Sequence, residues 1–95
     1  MPASPVPEGV ADELQRLARR WHQLPLDQAL ARMPRVRSTV DALAGLSGAT
    51  DTPPDLGPAV VIDQLTVTAY DACLRGREDP ALALLTSLRR DLAVS

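Results

Sequence analysis

The chain is expected to fold as an all-α domain, a small bundle of four to five helices with the second helix kinked or split at Pro34. Three observations support this. Apolar residues recur at steps of three and four along most of the chain. Pro and Gly stand where helices start and stop rather than where hairpins turn. Ninety-five residues, 45% of them hydrophobic and 23% charged, suit one small core and are too apolar for wholesale disorder.

Pro2, Pro5 and Pro7 mark residues 1–7 as a flexible Pro-rich tail, leaving 8–95 as a single helical domain. A first helix over about 8–24 follows from Val10, Leu14, Leu17, Trp21 and Leu24, which form one apolar stripe. Arg16, Arg19 and Arg20 lie opposite, with Asp12 and Glu13 placed to pair with Arg16. After Pro25 the stripe resumes with Leu26, Ala29, Leu30 and Met33, then Val36, Val40 and Leu43. Pro34 cannot donate to the carbonyl of residue 30, which predicts two segments, about 26–33 and 35–46, with a bend between them. Gly45 and Gly48 suit the end of that helix.

Residues 47–57 hold a Pro-Pro pair among Gly, Asp and Thr and read as the one long loop. The stretch 58–75 is rich in β-branched residues, but its 18 positions lack an internal Gly or Pro and exceed a usual strand. With Pro58 at its head and Gly76 beyond its end, it reads as a helix burying Ile62, Leu65, Ala69, Ala72 and Cys73. Asp79-Pro80 signals the start of a last helix, with Ala81, Leu84, Leu85, Leu88 and Leu92 as its buried stripe. No internal repeat is visible.

Composition narrows the function. No apolar run approaches the ~20 residues that span a bilayer. One Cys and one His exclude a disulfide framework and a Cys/His zinc site within one chain, so no metal and no cofactor is expected. A net charge of −2 argues against a dedicated nucleic-acid binder. Every basic residue is Arg, and Lys, Asn and Phe are absent. That usage points to a GC-rich bacterial genome, and with no signal peptide in residues 1–7 a cytoplasmic location is expected.

No catalytic constellation stands out. His22 lies at the edge of the first stripe without an orienting partner, and Cys73 falls on a buried face, so both read as structural. The Ser residues lack a nucleophile-elbow context, and there is no Gly-rich phosphate loop. The small acidic helical chain lacks the Asp-Ser-Leu string that acyl carrier proteins use to carry their prosthetic arm. The chain is therefore expected not to be an enzyme.

Two surfaces remain as candidates. On the 58–75 helix, Val60, Val67 and Leu74 are spaced by seven with Tyr70 beside them, forming a second apolar stripe. A helix apolar on two sides is either central to its bundle or touches a partner. The main expectation is accordingly a protein-interaction module that binds a protein partner or itself, as a homodimer or an accessory subunit. The alternative is a regulator binding nucleic acid or another anion through Arg32, Arg35 and Arg37, which flank the Pro34 bend. Arg37 in particular is expected either to turn outward at the bend or to pair with an acid across the bundle. A third reading, a small-molecule pocket, requires Trp21, His22, Met33 and Tyr70 to converge.

Overall fold

The computed structural model describes residues 7–93. It contains four helices, α1 Glu8–Gln23, α2 Leu26–Leu46, α3 Pro58–Leu74 and α4 Glu78–Ala93, with no strand among the described residues. Of the expected tail only Pro7 is described, as the N-cap of α1; residues 1–6 lie outside the described residues. The three- and four-residue spacing is thus realised as helix throughout, including the β-branched stretch of α3.

The second helix departs from expectation. Leu26–Leu46 is one uninterrupted helix with Pro34 inside it, not two segments. Pro34 and Leu30 both lie on the exposed side. The carbonyl that loses its intrahelical donor therefore sits where water can satisfy it, and the cost of Pro falls well short of breaking the helix. This exposure overturns a second expectation: Leu26 and Leu30 are 66% and 52% exposed rather than part of the core.

Side-chain contacts fix how the helices run. Arg20 Nε donates to the Leu92 carbonyl at 3.1 Å, Arg89 pairs with Glu13, and Gly9 lies against Leu82, so α1 and α4 run in the same direction. Arg35 reaches Ser87 and Asp91 while Arg32 reaches the Asp91 carbonyl, which makes α2 antiparallel to α4. Ser47 and Gly48, past the end of α2, share a depression with Asp71 and Leu74 at the end of α3. Trp21 Nε1 donates to the Pro58 carbonyl at 2.8 Å, placing the start of α3 beside the end of α1. The bundle therefore has two helices up and two down, with α2 and α3 parallel.

A parallel neighbour requires the chain to return along the bundle before α3 begins. Residues 47–57 make that return. Eleven extended residues reach about 36 Å, more than the ~25 Å length of a 17-residue helix. Around the ring the order is α1, α4, α2, α3; α1 and α2, joined only by Leu24 and Pro25, scarcely touch.

One core joins all four helices. Leu17 from α1, Val36, Val40 and Leu43 from α2, Val61 and Leu65 from α3, and Leu85 and Leu88 from α4 are fully enclosed. Glu13 is buried with them at 6% exposure and is held by Arg89 Nε at 2.5 Å and Arg16 at 3.6 Å. Buried Thr39 and Thr68 donate to carbonyls of their own helices, which satisfies their hydroxyls inside the core.

Candidate functional site

The outer face of α3 carries the largest exposed apolar side chains of that helix. Val67 is 59%, Tyr70 40% and Leu74 69% exposed, while Val60 is half-buried. The reason is geometric: Val61, Ile62, Leu65, Thr68, Ala69, Ala72 and Cys73 fill the side of α3 that faces α2 and α1. Among the described residues, nothing covers the opposite side. Beside Tyr70, a shallow groove of about 230 Å³ runs between α1 and α3, lined by Ala11, Leu14, Gln15, Ala18 and Thr66. It widens the apolar strip toward α1.

Charges flank this strip. Asp63 is exposed near the start of α3, and Arg75 and Arg77 are exposed just past its end. None of the three forms an ion pair among the described residues.

The three Arg residues near Pro34 do not converge. Arg35 donates to Asp91 Oδ2 at 2.6 Å, to Thr39 Oγ1 at 2.7 Å and to Ser87 Oγ at 3.2 Å. Arg32 donates to the Asp91 carbonyl at 3.4 Å. Both face α4. Arg37 faces the other way, donating to the Pro54 carbonyl at 3.1 Å and to Gln64 Oε1 at 3.4 Å. It pairs with neither an acid nor solvent alone, because the returning loop supplies a carbonyl at that level of the helix.

The residues of the small-molecule reading are also separated. Trp21 and exposed His22 border an open depression with Leu24, Leu26, Ala29 and Pro58. Met33 is buried in the core and Tyr70 lines the α1–α3 groove instead. The His22 imidazole makes no hydrogen bond among the described residues. Cys73 is 7% exposed, and burial together with the nearby Glu78 carboxylate pushes its thiol pKa up. A raised thiol pKa means less thiolate near neutral pH, the reverse of what a nucleophile needs.

Among the described residues, no group of three or more His, Cys, Asp and Glu is placed to hold a metal ion. No helix is long and apolar enough to cross a membrane. A second exposed apolar pair, Leu26 and Leu30, was hidden from the sequence because its spacing matches that of true core positions. No family model, no curated protein and no solved structure matches the chain.

Proposed function

We propose that this protein is a non-enzymatic protein-interaction module that presents the outer face of α3 to a protein partner. The observation that carries the reading is the run of exposed Val67, Tyr70 and Leu74 on a helix whose other side is already packed. Leaving these side chains in water forgoes roughly 25 cal/mol for each Å² that a partner would cover. The open shape of the surface depressions gives a protein surface a better fit than an enclosed small molecule. The Arg-only basic usage supports a GC-rich bacterial source.

The anion-binding alternative has less support. Arg35 spends its donors on α4 and on Thr39 of its own helix, Arg37 spends its own on the loop and Gln64, and the chain carries a net charge of −2. An incoming phosphate would have to replace those bonds against an unfavourable overall field.

Site-specific photo-crosslinking in the cells that produce the protein tests the proposal. A photoreactive side chain at position 67 is expected to form a discrete protein adduct that the same group at exposed position 83 on α4 does not form. Equal adduct patterns at both positions would remove the reading.

A further inference from the structure

Residues 47–57 divide the chain into a first half, α1 and α2, and a second half, α3 and α4. Neither half is held chiefly by its own contacts. Helices α1 and α2 scarcely touch; α1 packs mainly on α4, while α2 packs on α3 and α4. Helices α3 and α4 likewise meet the first half far more than they meet each other. Side-chain bonds follow the same division: Glu13 with Arg89, Arg35 with Asp91 and Trp21 with the Pro58 carbonyl each join one half to the other. The segment between the halves adds nothing to the core, since no residue of 47–57 is buried.

From this division we infer that two copies of the chain exchange their second halves, so that α3 and α4 of each copy pack on α1 and α2 of the other. Identity fixes the partner, because the surface that the first half presents is already complementary to this chain's own α3 and α4. Each bundle of the exchanged pair keeps the core and the inter-helix bonds of the single chain, so exchange needs no new surface. The inference does not depend on the role proposed for the outer face of α3.

The connection suits exchange. In the single chain, parallel α2 and α3 send residues 47–57 back along the bundle over about 25 Å. In an exchanged pair whose bundles lie side by side and antiparallel, the end of α2 in one bundle stands beside the start of α3 in the other. The same segment then only crosses sideways, over roughly 15 Å. Linked halves meet at an effective concentration in the millimolar range. The single-chain bundle therefore prevails in dilute solution, and exchange competes when the chain refolds at a comparable concentration. Once formed, the pair outlasts dilution, because a return to single chains requires the core to open.

Refolding the full chain from denaturant at about 1 mM and at about 1 µM tests this, with size-exclusion chromatography and light scattering after dilution to equal concentration. The expected result is roughly a third or more dimer from the first and monomer from the second. Deleting residues 49–54 leaves five loop residues that reach at most about 18 Å, too short for the return and long enough for the crossing. That variant should be a dimer at both concentrations. Glu13→Arg and Arg89→Glu, each in its own chain, identify the exchange itself. Either variant alone sets like charges together. In an exchanged heterodimer the two substituted side chains meet in one bundle and the two native ones in the other. After the two variants are refolded together, native mass spectrometry should find the heterodimer in at least roughly tenfold excess over either homodimer.

A chain that refolds only to monomer at 1 mM overturns the inference. So does a deletion variant that stays monomeric with its helices intact by circular dichroism; if it loses its helices, the full chain and the charge variants decide. A heterodimer no more abundant than random mixing gives shows a dimer without exchange and also overturns it. Crosslinking at position 67 reports separately on the outer face of α3.

Discussion

Arg37 on α2 and Gln64 on α3 donate to one acceptor, the carbonyl of Pro54, at 3.1 and 2.8 Å. This shared carbonyl fastens the returning loop over the groove between two parallel helices. Asp55 Oδ1 accepts from the Gly57 backbone N–H at 3.0 Å and turns the chain into α3, where Gly57 adopts a φ of 91° that other residues rarely tolerate. Since Arg37 also donates to Gln64 Oε1 and the two brace one loop, Arg37→Ala and Gln64→Ala should each lower stability by about 0.5–1.5 kcal/mol, and the double variant by less than their sum. Urea unfolding of the three variants measures the coupling, and strict additivity would contradict the shared role.

The Glu13–Arg89 pair ties α1 to α4 with a carboxylate that is almost wholly enclosed. Arg89→Ala leaves that carboxylate only its longer contact with Arg16 at 3.6 Å and should cost about 1–3 kcal/mol. Glu13→Gln keeps the shape and an acceptor for Arg89, so its loss should be under about 1 kcal/mol. The order of the two denaturation midpoints checks this, and a larger loss for Glu13→Gln contradicts it.

Leu17 and Leu26 occupy equivalent-looking places in the sequence pattern but not in the bundle. Leu17 is fully buried, and Leu17→Ala should remove about 2–5 kcal/mol through lost burial and a residual cavity. Leu26 is 66% exposed, and Leu26→Ala should change stability by no more than about 0.5 kcal/mol. Thermal unfolding of both variants tests the exposure directly.

Cys73 should resist thiol reagents in the folded chain. Its raised pKa lowers the thiolate fraction at neutral pH and its burial blocks approach. Alkylation by iodoacetamide at pH 7.5 is expected to be at least roughly tenfold slower than in denaturant, where both constraints vanish. Equal rates would place the thiol at the surface.

Asp41 Oδ1 is buried and accepts no hydrogen bond among the described residues. It also lies in the C-terminal half of α2, toward the negative end of the helix dipole. Asp41→Ala should therefore stabilise the protein by about 0.5–1.5 kcal/mol. A loss in chemical denaturation would show that this carboxylate has a partner the fold supplies by other means.

Much of the architecture could be read along the chain because helix formation is local. Pro58 at a first turn and Gly48, Gly57 and Gly76 at positive φ fall at helix ends, as steric preference demands. The buried sides of α1 and α4 follow the apolar period closely, with Leu17, Trp21, Leu85, Leu88 and Leu92 enclosed. The split expected at Pro34 fails because the burial of Met33, Val36, Val40 and Leu43 along one helix outweighs the local cost of Pro, whose orphaned carbonyl faces water.

Local pattern and long-range packing thus divide the protein between them. The amino-acid order determines where each rod begins and ends and that α3 is apolar on two sides, since these depend on neighbours a few residues apart. It is silent on the direction in which residues 47–57 return, on the parting of Arg37 from Arg35, and on whether the second apolar stripe of α3 is covered within the bundle. Those outcomes depend on contacts between distant segments, Trp21 with Pro58 and Arg37 with Pro54 among them. Four rods enclose one core, and a side of α3 that no rod can reach stays outside it.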